Sequence, residues 1–497
     1  FLVADGEGIH LMDATGRTER VHALPPGAAT QLHEPQPLRA RPREAVIPSR
    51  VDLAQATGRV VLQDVHAGRN MEGVAHGEVR KLLVLEQLPK PVNYSGGQEP
   101  LSIGGTFTLE RILGTVPVEP DGSACFDLPA LRSFFFVALD ANDRAVKRMQ
   151  SFVTLQPGET AGCVGCHERR TQSPPAAANV MALRRAPSRV EPFAGVPDVL
   201  DFPRDVQPIL DRHCAKCHRP ERRDGGVELT GDRTPLFSVS YWTLVKRGLV
   251  SDGRNTYGNR PPRSVGSSAS RLLDLMDGSH EGAKPTARER DIVRLWIESG
   301  AVYPGTYAGL GCGMAAVRYP AEAIERRCAG CHVEEVKAYP GMMKKPHFRF
   351  GAGPAQPLAD DVTEITFIRR LAYYRYGEAG PHQSLCNLDR PEMSLLVRAP
   401  LAKEAGGLGL CRDVVFRDAS DPDCRAIVAA IAAAGADLAK AKRFDMPGFR
   451  PHAAYIREMQ RFGIFPAAAA SAPPDPYALD QAYWRSFWHT PVTVPLN

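Results

Sequence analysis

The chain opens on alternating apolar and polar residues, "FLVADGEGIHLMDATGRTERVHAL", broken at Asp-Gly and Thr-Gly. A period of two punctuated by such turns predicts a β-ribbon. A proline- and arginine-rich connector, "PLRARPREAVIPS", closes residues 1–50. From 51 to 157 the pattern is short β-runs: "GRVVLQDV", "KLLVLEQL", "GTFTLERILGTVPV", "FFFVALD" and "RMQSFVTLQPGE". With "EPDGS" and "DANDR" as turns, these runs predict an antiparallel β-sandwich over 51–170. Residues 171–204, "TQSPPAAANVMALRRAPSRVEPFAGVPDVLDFP", predict an extended linker from their proline content.

Beyond the linker the period becomes helical. "FPRDVQPILDRHC" puts Val206, Ile209, Leu210 and His213 on one face. "PTARERDIVRLWIESGA" carries Thr286 and Glu289 at capping-box spacing, followed by Ile292, Leu295 and Trp296 on one stripe. "DCRAIVAAIAAAGADLAKAKRF" and "HAAYIREMQRFG" predict two more helices, the second stopped by Gly463. The tail, a linker then "YALDQAYWRSFWHTP", is expected to pack back on the body. The fold class is therefore α+β: a β half, then a mostly helical half divided into 205–310 and 311–497.

Length sets the scale of this organisation, since 497 residues exceed one ordinary core and suggest about three domains. Composition is that of a globular protein, 43% hydrophobic and 24% charged with mean hydropathy −0.25. No apolar run approaches the roughly 18 residues of a membrane span. The net charge of +5 is small, and the basic residues form no aromatic-interleaved stripe, which argues against nucleic acid as a partner. Phe1 is not a start methionine, and no basic and apolar leader follows it. An upstream part, with any export signal, is expected to precede this numbering.

The cysteines change the picture most. Of eleven, six fall in three CxxCH motifs: Cys163-Val-Gly-Cys166-His167, Cys214-Ala-Lys-Cys217-His218 and Cys328-Ala-Gly-Cys331-His332. This is the spacing of c-type haem attachment, in which two thiols bond to one porphyrin edge and the adjacent histidine reaches the iron. A structural zinc site would need paired CxxC units close in sequence, and a thiol–disulfide switch would need one CxxC near a βαβ pattern. Neither is present, so three covalently bound haem c groups are expected, with His167, His218 and His332 as proximal iron ligands. Haem c is attached outside the cytoplasm, which places the chain in the periplasm or elsewhere beyond the inner membrane. Cys125, Cys312, Cys386, Cys411 and Cys424 are left over; Cys411 and Cys424 would close a short loop, but the pairing cannot be read from sequence.

The far side of each iron decides between a wire and a catalyst. For the second haem, His280 in "SRLLDLMDGSH" is the candidate distal ligand, placed between a short apolar helix and the capped helix. For the third, His382 in "GEAGPHQSL" is preferred over His347, Met342 and Met343. For the first, the linker offers no histidine. The candidates are His66 and His76 in the sandwich, distant His452 and His489, or no ligand at all. An open position is what a substrate needs. His213, one residue before Cys214, reads either as a group supporting the haem site or as part of the apolar helix face, and the latter is preferred.

Several phrases resemble the hydrazine synthase alpha subunit and its relatives: "GRNMEGVAHGEVRKLLVLEQLPKPVN", "LSIGGTFTLERILGTVPVEPDGSACFDLPA" and "SFVTLQPGETAGCVGCHERRT". The likeness continues through "DFPRDVQPILDRHCAKCH", "GSSASRLLDLMDGSHEGAK" and "DIVRLWIESGAVYPGTYAGLG". It also takes in "NLDRPEMSLLVRAPLAKEAGGLGLC" and "RFDMPGFRPHAAYIREMQRFGI". It implies a middle domain followed by cytochrome domains, with residues 1–30 as the last strands of an upstream β-propeller. It also implies that His280 lies where the family's second haem takes its distal histidine. In that family a tyrosine four residues past the first motif histidine ligates iron, while the histidine turns toward zinc. Here that position is Thr171, no tyrosine follows His167 in the linker, and a third motif is added. The expectation is an exported trihaem cytochrome passing electrons to a redox partner protein, with other subunits of an exported complex possible. The alternative is a redox enzyme acting on a small inorganic nitrogen compound at haem 1; no catalytic residue is assigned.

Overall fold

A computed structural model of the chain describes residues 1–40, 43, 45, 48–93, 101–102, 106, 108–166, 179–251, 260–310, 315, 317–328, 331, 385–466 and 475–492. His167, Thr171, Cys312, His332, Met342, Met343, His347 and His382 lie outside the described residues. The chain divides into two compact units, 1–50 and 51–497. The first holds an antiparallel meander of β1 (Leu2–Ala4), β2 (Gly8–Met12) and β3 (Thr18–Ala23). Its β2–β3 turn is tied by Asp13 Oδ1, which accepts from the backbone N–H of Thr15 at 2.8 Å and Arg17 at 3.0 Å.

The second unit is built on a five-stranded antiparallel sheet. It contains β5 (Lys81–Gln87), β6 (Glu110–Pro117), β8 (Ser133–Leu139), β9 (Ala145–Arg148) and β10 (Val153–Thr154). Strands β9 and β10 pair with opposite ends of β8, and the order continues from β8 to β5 to β6. A second sheet has the order β11 (Thr160–Cys163), β4 (Thr57–Leu62), β7 (Ala124–Pro129). Alternating residues of β5 sort to two cores. Leu82 and Val84 join Val60 and Leu62 of β4 and Phe126 and Leu128 of β7. Leu83 and Leu85 join Val206, Ile209 and Trp296 from the helical half. The sheet is thus covered on both faces, which is why "KLLVLEQ" is a continuous apolar run rather than an alternating one. Each of those leucines and valines contributes about 1.5–3 kcal/mol by leaving water.

One pairing departs from the expected all-antiparallel arrangement: β11 runs parallel to β4, with Cys163 opposite Leu62. The chain leaves β10, turns through Pro157-Gly158 and enters the other sheet. Gly158 takes a left-handed φ of +73° with its N–H donating to Thr57 O at 2.9 Å. The proline-rich segment is not extended throughout: it forms a 3-10 turn at Met181–Arg184 and another helical turn from Phe202, and it is fastened, since Thr115 and Glu191 exchange N–H···O bonds of 2.9 Å and Ser188 N–H donates to Cys125 O at 2.8 Å. Gly114 permits this approach, because a Cβ there would lie 2.0 Å from Glu191 O.

The helical elements are α1 (Gln207–His213), α2 (Val239–Lys246), α3 (Arg271–Asp274), α4 (Ala287–Glu298) and α5 (Ala321–Arg327). They continue with α6 (Leu395–Arg398), α7 (Pro422–Ala441), α8 (Ala453–Arg461) and α9 (Pro476–Arg485). The capping box at Thr286 and Glu289 opens α4, and Ile292, Leu295 and Trp296 are buried as the stripe requires. Gly463 at φ +69° follows α8. Tyr483 and Trp484 of α9 pack into a core with Tyr307 and Tyr455. There Asp480 accepts from Thr306 Oγ1, Tyr307 N and Tyr455 Oη, each at 2.7 Å. Burial pushes its carboxyl up to about 6. No described helix is long and apolar enough to cross a membrane.

Arg443, just past α7, joins the C-terminal helices to the 234–237 loop. Its guanidinium is buried, 2% exposed, and grips Asp445 through Nε at 2.9 Å and Nη2 at 2.7 Å. Nη1 donates to Thr234 O at 2.8 Å, and Tyr303 Oη donates to Asp445 at 3.0 Å. Removing one partner of a buried ion pair strands the other charge. Asp445→Ala is expected to cost about 3–5 kcal/mol. Asp143→Ala, which breaks the exposed Lys81–Asp143 contact of 2.9 Å, is expected to cost no more than about 1 kcal/mol. Chemical denaturation followed by circular dichroism checks both, and equal losses would show that Arg443 is not the joint described.

Candidate haem attachment sites

The second and third motifs are built alike. Each sits on the end of a seven-residue helix that carries it out of a core. Cys214 N–H donates to Leu210 O and Cys328 N–H to Ile324 O, both at 2.8 Å. Cys217 N–H then donates to Cys214 O and Cys331 N–H to Cys328 O, both at 3.2 Å. The anchors are buried: Ile209 and Leu210 in one case, Ala323 and Ile324 in the other. The "IL" and "AI" placed ahead of "DRHCAKC" and "ERRCAGC" are the sequence signal of this equivalence, legible only once the helix ends are known. At the third motif, Arg326 and Arg327 clasp Asp423 of α7 at 2.7 and 2.8 Å and hold its carboxyl down to about 2.

Burial pushes the Cys214 and Cys328 thiols up to about 11. Held protonated, they are poor thiolates for disulfide exchange or metal binding. An uncharged thioether suits the same half-buried positions. Cys411 and Cys424 form no disulfide: Cys424 is packed in the core of the C-terminal helices, Cys411 in the loop ahead of them. The buried Cys386 thiol meets the Tyr319 hydroxyl at 3.1 Å and is pushed up to about 12 by burial.

His218 follows Cys217 in a turn whose N–H returns to Cys214 O at 3.1 Å. Its ring Nδ1 lies 3.1 Å from Asp224 O, so Nδ1–H donates to that carbonyl and Nε2 keeps a lone pair for a metal. His280 stands across from it. The two rings are nearly parallel, 9° apart, with centroids separated by 5.9 Å. That is too wide for ring contact. Two imidazoles on opposite sides of one metal, with bonds of about 2.0–2.1 Å, have centroids roughly 6 Å apart. The "DGSHEG" turn presents His280 through Gly278 at φ +100° and Gly282 at φ +73°, with Glu281 at +49° between them. The donor set and its gap fit a haem iron between His218 and His280.

The first motif stands on a strand instead. The ladder continues past β11: Gln63 N–H donates to Cys163 O at 2.9 Å and Asp64 N–H to Val164 O at 3.1 Å. The CxxC loop is pressed onto residues 64–68 so closely that no side chain fits between. A Cβ on Gly165 would lie 1.9 Å from Ala67 O, and one on Gly68 would lie 1.7 Å from Cys166 O. Beside this contact are Asp64, His66 and His76. His66 Nδ1 is 2.9 Å from Asp64 Oδ1, and the two histidine rings are 4.4 Å apart.

The distant histidines are engaged elsewhere. His452 Nδ1 accepts from Ala454 N–H at 3.1 Å and caps α8. His489 Nε2 lies 3.1 Å from the carbonyls of Leu53 and Gln55, to which it donates. The expectation for His213 is corrected: rather than joining the apolar face it turns to Glu289, Nε2 to Oε2 3.3 Å, because the carboxylate at the start of α4 lies alongside. Two supporting groups escaped sequence reasoning. Asp64 had a visible Asp-x-His spacing; the Asp224 carbonyl had no signal at all.

Comparison with known proteins adds family to geometry. Hydrazine synthase subunit alpha of Kuenenia stuttgartiensis is 24% identical over 243 residues. That match takes in 35% of this chain and 30% of that protein, so the chain spans less than a third of the relative's length. Among solved structures, Kuenenia stuttgartiensis hydrazine synthase covers 51% of this chain and 44% of its own at 18% identity, with a TM-score of 0.39. Residues 77–168, which run from the loop before β5 through the first CxxCH motif, match the family described as hydrazine synthase alpha subunit middle domain. The resemblance read from the sequence therefore holds: residues 77–168 are similar to the hydrazine synthase alpha subunit middle domain.

Proposed function

We propose that this chain is an exported trihaem c-type cytochrome that transfers electrons, working with a redox partner protein and with further subunits of an exported complex. In this reading the two sheets are a β-sandwich middle domain, residues 1–30 close an upstream β-propeller, and the helical half carries cytochrome domains. Haem c would be held by Cys163, Cys166 and His167, by Cys214, Cys217 and His218, and by Cys328, Cys331 and His332. His382 would be the distal ligand of the third.

One observation carries the reading: the parallel His218 and His280 rings face each other across a 5.9 Å gap, with His218 oriented by Asp224 O. Two imidazoles saturate an iron and leave no position for substrate, which is the ligation of an electron carrier. A second reading has its own support. The family match encloses the first motif and no other CxxCH. A hydrazine synthase-like redox reaction on a small inorganic nitrogen compound would accordingly take place at haem 1.

Absorption and low-temperature EPR spectra of oxidised and reduced protein separate the two. Three low-spin haems indifferent to carbon monoxide support electron transfer; one high-spin haem that binds the gas supports catalysis. His280→Ala is expected to convert one haem from low-spin to high-spin and to open it to carbon monoxide. An unchanged spectrum would remove His280 from the iron. Gly165→Ala, which drives a Cβ into Ala67 O, is expected to lower the haem content from three per chain toward two in a pyridine haemochrome assay. Full loading of that variant would show that the strand-borne loop is not an attachment site.

A further inference from the structure

Past the second CxxCH motif, Arg223 is a mostly buried cation that its surroundings match poorly. It takes a left-handed φ of +45°, and its side chain is 13% exposed. Its Nε is buried without a hydrogen bond among the described residues, and Glu228 Oε2 stands off at 3.7 Å. Its Nη2 and that of Arg247 both donate to one oxygen, Gly226 O, at 3.3 and 2.8 Å. Two guanidinium groups thus share a single neutral acceptor. Burial pulls Arg223 below the ordinary arginine value, and Arg398 and Arg247 add to that pull against Glu228. Glu228 is a weak counter-ion in turn, because burial pushes its carboxyl up to about 7. Like charges gathered in this way repel, and an anion to which both can donate relieves the repulsion.

These groups border a cavity of about 110 Å³ between α2 and the 385–395 segment. Arg223, Lys246 and Arg247 line it together with Trp242, Met393 and Leu395, so charge and apolar surface meet in one place. We propose that this cavity is a binding site for a small organic carboxylate, distinct from the three haem motifs. The carboxylate would accept from the Arg223 and Arg247 guanidinium groups, whose planar N–H pairs match its two oxygens. A short alkyl chain would lie against Trp242, Met393 and Leu395. An apolar cavity of about 150 Å³ holds benzene, so this one takes a chain of roughly four carbons. An inorganic anion gains nothing from the apolar wall, and an amine is repelled by the three cations. The same carboxylate chemistry could come from a haem propionate of this chain, and the experiment separates the two sources.

The haem-loaded protein would be titrated by calorimetry with butyrate, and with inorganic phosphate and n-butylamine for comparison. Butyrate is expected to bind at one site per chain, phosphate more weakly and the amine not at all. Arg247→Ala trims an exposed side chain. It is expected to weaken butyrate binding by about 10-fold or more, the worth of one charge-assisted hydrogen bond, with no change in any haem spectrum or potential. Glu228→Gln removes the competing carboxylate and is expected to tighten binding several-fold. Butyrate bound equally by wild type and Arg247→Ala would overturn the proposal, and so would phosphate bound more tightly than butyrate. An absence of butyrate binding would overturn it as well; a shifted reduction potential of one haem in Arg247→Ala would then give the guanidinium groups to a haem propionate. The outcome does not depend on whether the protein proves to be a carrier or an enzyme.

Discussion

The central constraint is a sheet that must be dry on both faces. Strands β5 and β8 bury every second side chain against the smaller sheet and the alternate ones against α1 and α4. Neither half can satisfy this alone. Without the helices, Leu83, Leu85, Phe135 and Val137 would face water; without the smaller sheet, so would Leu82, Val84 and Phe134. The first cysteine motif rides on one cover and the second on the other, so the shared sheet fixes both. A buried Arg148 of β9 ties the large sheet to the helical cover: it donates to both carboxylate oxygens of Glu110 in β6 at 2.8 and 2.9 Å, and to Glu298 O at the end of α4.

The same three-residue chemistry is mounted on two kinds of support. At the second and third motifs a helix ends, a carbonyl of its last turn takes the N–H of the first cysteine, and the N–H of the second cysteine turns back to the carbonyl of the first. At the first motif a parallel strand ends, and the turn is held by backbone contact with 64–68 that only Gly68 and Gly165 permit. The helix-end version depends on local bonds and needs only a well-anchored helix. The strand version depends on residues about a hundred positions away in sequence. The strand-borne motif is the one that lies within the region similar to the hydrazine synthase alpha subunit middle domain, residues 77–168.

Legibility followed the same division. The capping box at Thr286, the α4 stripe and the position of His280 between two short helices are set by neighbours in the chain, and all could be read directly. The parallel pairing of β11 with β4 could not, because register between distant strands is decided by the cores they close. Strand β7, "ACFDLP", was hidden for a related reason: alone it is a short apolar run, and it becomes a strand by pairing with β4. His213 looked apolar by its position on the helix; the deciding partner, Glu289, comes from another element. Cysteine and histidine spacing points to haem attachment because two thiols must reach one porphyrin edge and the imidazole its iron, which is a local demand.

What separates the histidines is how each uses its second nitrogen. His452 and His489 bond to backbone groups, which fastens a helix start and a chain end. His218 directs one nitrogen to a backbone carbonyl and turns its ring toward a partner across an open gap. His66 directs one nitrogen to a carboxylate and holds the other buried with nothing to receive it among the described residues. A buried polar atom left without a partner costs about 1–3 kcal/mol, a large share of the stability of a domain. His218 and His66 are in this way set apart from ordinary packing, and each lies beside a cysteine pair.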